Sequence, residues 1–278
     1  MKITNFNNCV KYIFKTTLLN IYTYIYCLIL PLIFGLLIYN YYIYNYLSSK
    51  RLILIMPFIF FILNISSLFI SYLIITWRET IFIKQLKNFG INKLTFLLSL
   101  FVVYLIYSLG VLIIILSIFL SIDKIRGTSM VIDMFVKLFS SASVVMVIFN
   151  IFLMIIYVYL TSILISGFLR NIYIVQSLMI LFLLFTLFTS DALMDLKFYN
   201  STFYQIISYL NPQKYFNWIF YIAYTNSWLG GQNLFKIVNN IDIIIAFKNI
   251  FVPLFSMIIL LSTISLLSYY SFNISLRK

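Results

Sequence analysis

The groups that could do chemistry in this chain are few and scattered. Of its six carboxylates one is Glu79, and the other five, Asp123, Asp133, Asp191, Asp195 and Asp242, fall in connections between apolar stretches; there is no histidine. General acid–base catalysis, paired-carboxylate hydrolysis and imidazole metal sites need groups that this arrangement does not gather. The chain therefore reads as non-enzymatic, with no catalytic residue, metal site or cofactor. Cys9 and Cys27, on the N-terminal tail and inside the first apolar stretch, fit neither a zinc cluster nor a disulfide framework and read as small hydrophobes. None of the seven glycines opens a phosphate loop ending in Lys-Ser or Lys-Thr, so ATP is not bound in that manner.

Two short segments remain distinctive. The first, Trp77 to Lys93, reads WRETIFIKQLKNFGINK. It opens on Arg78-Glu79, sets Phe82, Leu86 and Phe89 on one helical face with Lys84, Lys87 and Asn88 elsewhere, and places Gly90 to end the helix. The spacing predicts a short amphipathic helix; an ordinary charged interfacial loop is the plainer alternative. In the second, Phe203, Ile206, Ile207 and Leu210 form a one-faced stripe that Asn211 and Pro212 break, before an apolar run from Tyr215 to Leu229. At about 15 residues that run is short for a span, which needs about 20. A helical pair that dips into the outer leaflet and returns fits it better than a seventh span.

The elements that must position these segments are long apolar runs, in a chain that is 64% hydrophobic. They lie between Leu18 and Tyr39, Leu52 and Thr76, Leu94 and Ile122, Leu138 and Ile165, Ile172 and Ser190, and Ile250 and Tyr270. Each can cross a hydrocarbon core of about 30 Å as a helix. Lipid offers the backbone no hydrogen-bond partners, and runs this continuous lack the alternation of barrel strands. The fold class is an all-α integral membrane protein with six transmembrane helices in one domain, residues 1–278. The first run is too long for a signal peptide and reads as a retained span.

The net charge of +13 comes from cations scattered among connections, with no basic stripe interleaved with exposed aromatics, so nucleic acid is not an expected partner. With the N-terminus inside, cation density in the inner segments exceeds that in the outer ones about twofold, which places both termini in the cytoplasm. Heavy use of Ile, Asn, Lys, Tyr and Phe fits an AT-rich genome and hence a low-GC bacterium. Tyr39, Tyr41, Tyr42, Tyr44 and Tyr46 fit an interfacial belt. Ile3, Phe6, Val10, Ile13 and Phe14 recur at helical spacing opposite Asn5, Asn8, Lys11 and Lys15, and predict an N-terminal helix lying in the cytoplasmic interface. Inside the spans the polar sites are Asn64, Ser66, Ser67, Ser71, Asn150 and an i, i+3 row, Ser262, Ser265, Ser268 and Ser271, that would let a neighbouring helix approach closely. No charge sits at a span centre, which argues against a proton-coupled carrier.

The order of six spans, Arg78-Glu79 opening a short inner helix after the second span, and Tyr209-Leu210-Asn211-Pro212 followed by Tyr215 after an outer helix resembles the permease subunits of type 2 ATP-binding-cassette (ABC) transporters. The resemblance covers essentially the whole chain. It implies a cytoplasmic coupling helix between spans two and three, in which Arg78, Glu79, Phe82, Lys84, Leu86, Lys87 and Phe89 dock a separate ATPase. It also implies a re-entrant outer helical pair between spans five and six, broken at Asn211 and Pro212, and pairing with a second permease, identical or related. The expected function is that of the membrane subunit of an ATP-driven exporter in the cell membrane, moving a hydrophobic or amphipathic cargo such as a peptide, lipid or drug-like molecule. A non-transporting multi-span protein, such as an immunity or assembly factor acting by partner binding, is the rival reading.

Overall fold

An apolar segment removed from water must satisfy its own backbone, and the long runs of this chain do so as helices. The computed structural model describes residues 3–40, 55–79, 91–139, 143–169, 171–190, 202–231 and 246–277, and among these no strand occurs. Six helices are long and apolar enough to cross a membrane: α2 (Ile21–Ile38), α3 (Ile55–Arg78), α4 (Lys93–Arg126), α6 (Ser143–Phe168), α7 (Ile172–Thr189) and α10 (Phe251–Ile274, continuing to Arg277). Four shorter helices accompany them: α1 (Ile3–Leu18), α5 (Met130–Phe139), α8 (Thr202–Tyr209) and α9 (Pro212–Tyr224). A multi-pass membrane protein follows from the six alone.

The second of these six is the axis of the bundle. The apolar stretch of α3 is almost entirely buried, whereas most of that of α10 is not. Helices α2, α4, α6, α7 and α9 surround it. A turn at Ser66 interrupts α3, where the Ser66 hydroxyl lies 2.5 Å from the Leu63 carbonyl it donates to and 2.7 Å from the buried Tyr104 hydroxyl.

The most extensive helix pairing joins α6 to α10. Ser268 donates to the Leu160 carbonyl at 2.7 Å and Ser271 to the Leu164 carbonyl at 2.8 Å, so two hydroxyls stitch α10 to the backbone of α6. The other half of the serine row does not take part. Ser262 is exposed, and Ser262 and Ser265 return their protons to Ile259 and Ser262 of their own helix. The reason is geometric: each three-residue step falls about 60° short of a full turn, so four residues spaced by three wind through about 180° and cannot share one face.

Helix α1 buries Cys9, Ile13 and Thr17, an i, i+4 row, against α4. The Cys9 thiol reaches Ser99, the Thr17 hydroxyl lies 3.1 Å from the Tyr107 hydroxyl, and Phe14 stacks on Tyr107. The N-terminal helix thus makes a lengthwise tertiary contact with α4, while Asn7, Asn8, Lys11 and Lys15 on its polar outer face stay exposed.

Three residues stand elsewhere than their sequence setting suggests. Asp123 belongs to the last turn of α4 and is 1% exposed. Its carboxylate accepts from the Tyr39 hydroxyl, the Thr128 hydroxyl and the Val131 amide, and these bonds offset the repulsion of an acid at a helix C-terminus. Tyr39 accordingly leaves the tyrosine belt and stacks on Phe119 with ring centres 4.5 Å apart; Tyr41, Tyr42, Tyr44 and Tyr46 lie outside the described residues. Leu138 lies in the last turn of α5 instead of starting the fourth span: Val131, Met134 and Leu138 form the buried stripe of a separate amphipathic helix.

Candidate functional site

Arg78 ends the most buried span, and its guanidinium reaches sideways to the end of α6. One amino group donates to the Ser166 carbonyl at 3.0 Å and the other to the Leu169 carbonyl at 2.5 Å. The last carbonyls of a helix have no intrahelical donor, and a cation there also meets the negative end of the helix dipole. Beside this clamp, Gly167 faces Ser271 with no room for a side chain. Trp77 packs edge-on against Phe96 of α4, and the Lys93 ammonium donates to the Asn273 amide oxygen at 2.8 Å. Four helix ends, those of α3, α4, α6 and α10, are therefore joined at one end of the bundle. Glu79 is the last residue of its helix. Phe82, Lys84, Leu86, Lys87 and Phe89, the remainder of the expected docking segment, lie outside the described residues.

The second cluster forms where α8 meets α9. Asn211 is fully buried and caps α9: its side-chain oxygen accepts from the Gln213 amide at 2.9 Å, and Pro212 fills the first turn, where a missing amide proton is harmless. The same side chain donates to the Thr186 carbonyl at 3.0 Å and the Thr189 hydroxyl at 2.9 Å, so it fastens the break to α7. Gln213, also fully buried, accepts from Asn64 at 2.9 Å and donates to the Pro57 carbonyl at 3.3 Å. Asn64 lies roughly 13 Å along α3 from Ile55 at 1.5 Å per residue.

Helix α9 then runs through the bundle against α3, α6 and α10 with nearly every residue buried. Asn150 of α6 donates to the Phe216 carbonyl at 2.9 Å, and Asn217 donates to the Ser190 carbonyl at 2.6 Å. Lys214 is 3% exposed, donates to the Ser208 hydroxyl at 2.6 Å and lies 4.2 Å from the centre of the Tyr209 ring. Among the described residues, the amide oxygens of Asn150 and Asn217 and the hydroxyl of Tyr157 accept or donate no hydrogen bond. At the far end of α9, the Lys137 ammonium sits 4.5 Å above the Tyr224 ring.

Two features of these clusters escaped sequence reasoning. Gln213 follows a proline in a polar tetrapeptide that resembles a solvent-exposed turn, and nothing local marks it as the partner of Asn64. Gly167 sits in Ser166-Gly167-Phe168, and the small pair was the available signal for close packing against Ser271. Among the described residues no group of three or more His, Cys, Asp or Glu is placed to hold a metal. Compared with protein-family models and with curated proteins, the chain matches none.

Proposed function

We propose that this chain is the permease subunit of an ATP-driven exporter of the type 2 ABC class, working with a separate ATPase and a second permease to move a hydrophobic or amphipathic cargo. The observation that carries the reading is the α8–α9 pair, which enters the bundle from the Thr189 end, turns at Asn211-Pro212 level with Thr186 and Asn64, and returns before α10. A pair of this kind fits a re-entrant outer element, and the Arg78 end is then cytoplasmic. Among the described residues, its contact with α6 includes the Asn150 amide oxygen and the Tyr157 hydroxyl without hydrogen-bond partners, so it can separate without giving up a full set of hydrogen bonds.

The clamp at Arg78 suits the same reading. A force received by the segment after Glu79 would pass directly into α3, through Arg78 into α6, and through the Gly167–Ser271 contact into α10. Motion delivered to one helix end would thus be shared among several spans.

The test is co-expression with an ATPase encoded beside this chain, followed by co-purification from membranes and ATPase assay in lipid. Wild-type protein should retain the ATPase and alter its turnover, and Phe82→Asp with Leu86→Asp should release it while the permease still inserts. An ATPase that binds the double variant as well as wild type would overturn docking at this segment, and one that never binds would favour the non-transporting reading.

A further inference from the structure

A lateral groove of about 340 Å³ opens between α4, α6 and α10 near the Lys93 end of the bundle. Its walls are Leu94, Leu97, Leu98 and Phe101 on one side and Ile156, Tyr159, Leu160 and Ile163 on the other, with Ser265, Ser268 and Tyr269 along α10. The groove faces outward, since Leu94 and Leu98 on its rim are 56% and 50% exposed. Its size lies at the lower end of the range for small-molecule sites, about 300–1,000 Å³. Ser268 donates to the Leu160 and Ile264 carbonyls, Ser265 to the Ser262 carbonyl and the Tyr159 hydroxyl to the Leu97 carbonyl at 2.6 Å, so these three hydroxyls are turned to the protein and the surface offered is mostly apolar.

The chemistry changes at one end. Lys93 precedes Leu94, and Asn273 lies one helical turn beyond Tyr269; their side chains bridge α4 and α10 beneath the groove. Among the described residues the partner of this ammonium is a neutral amide, which orients the cation without cancelling its charge. An apolar trough about 10 Å long, from Leu94 to Phe101 at 1.5 Å per residue, therefore ends on a fixed cation at the extremity of the spans. Basic pockets between spanning helices recognise anionic headgroups.

We infer that this groove holds one acyl chain of an anionic phospholipid from the adjoining leaflet, with the headgroup phosphate against Lys93. The charge chooses the occupant: a zwitterionic lipid gains no net attraction from Lys93, and a second copy meeting this face across a two-fold axis would set its own Lys93 against it. The bound lipid would seal α4 to α10 along a line where the two helices have few direct contacts of their own, making it part of the fold of the inserted protein.

The experiment is native mass spectrometry of the full chain released from nanodiscs containing equal fractions of phosphatidylglycerol and phosphatidylcholine. Wild type should retain one phosphatidylglycerol per chain with a preference of about fivefold, the value of one cation near an anionic surface. Lys93→Gln should bring that preference close to unity, and Leu98→Trp, which fills an exposed trough without entering the core, should lower retention of both lipids. Equal retention of the two lipids by wild type would overturn the proposal without recourse to any variant. So would a preference unchanged in Lys93→Gln, or efficient disulfide formation between two copies of Leu98→Cys in the same nanodiscs, which would show a second chain on this face.

Discussion

A Cβ added to Gly167 would fall 2.1 Å from the Ser271 hydroxyl oxygen and 2.9 Å from the Ser271 carbonyl carbon, so α6 and α10 meet backbone to backbone at this point. The second distance matters more, because a hydroxyl can rotate away and a backbone cannot. Gly167→Ala should therefore destabilise the protein by about 1–3 kcal/mol, the usual range for overpacking. Gly110→Ala is the control: nothing lies within 4 Å of its added methyl group, and loss of glycine's helix penalty should make it neutral or stabilising by about 0.5–1 kcal/mol. Thermal unfolding in detergent separates the two; equal effects would show that the close approach is not what holds this interface.

The serine row makes a prediction of opposite outcomes from one chemical change. Ser262→Leu should leave assembly intact, because Ser262 is exposed and bonds within its own helix. Ser271→Leu should disrupt it, since Ser271 is fully buried against Leu164 and Gly167. Ser268→Ala, which removes the bond to Leu160 together with a bond to Ile264 within its own helix, should cost about 0.6 kcal/mol, the average for hydrogen bonds between membrane helices. Size-exclusion profiles and unfolding midpoints of the three variants would rank them, and a disruptive Ser262→Leu would contradict the packing described.

For Asn211, capping and tethering can be separated by a single isosteric change. Asn211→Asp keeps an oxygen for the Gln213 amide but loses both donors, to the Thr186 carbonyl and the Thr189 hydroxyl, and sets a carboxylate in a fully buried site. It should be the more damaging variant, with Asn211→Ser, which preserves a capping hydroxyl, costing less. If capping is the whole role, Asn211→Asp should unfold like wild type.

Alkaline pH offers a probe of the α5–α9 contact. Burial and, secondarily, the Asp133 carboxylate push the Tyr224 phenol from 10.0 up to about 12. The folded state keeps a proton that the unfolded chain sheds, so this contribution is intact below pH 10 and falls as pH rises from 10 towards 12. Tyr224→Phe should flatten that part of the stability profile, read as the difference between wild-type and variant unfolding midpoints. Parallel decline of the two proteins would assign the alkaline sensitivity to other tyrosines.

Continuous apolar length made the six spans legible, with Ile172–Thr189 matching its run almost residue for residue. Length carries no information about rotation, however. An i, i+3 row looks one-faced over two residues and is not so over four, which is why Ser262 and Ser271 point to different surroundings. Asp123 was misplaced for a different reason: a carboxylate near an apolar run suggests a loop, and only the arrival of Tyr39 from a span 84 residues earlier makes its burial tolerable. The break at Asn211-Pro212 was visible because its signal is local. Its connections to Thr186 and Asn64 were not, because they depend on where the chain returns.

The same two buried polar groups complete their bonding at very different moments of synthesis. When Asp123 leaves the ribosome, Tyr39 is already made, and Thr128 and Val131 follow within about two seconds at the usual 5–20 residues per second. Asn64 must wait for Gln213, 149 residues later, or roughly 7–30 s. The nascent first half can thus close its Asp123 end unaided, while α3, destined for the centre, stays in the translocation machinery's care or in lipid with an amide awaiting its partner. Translation speed between residues 64 and 213 thereby sets how long the Asn64 amide goes without this partner.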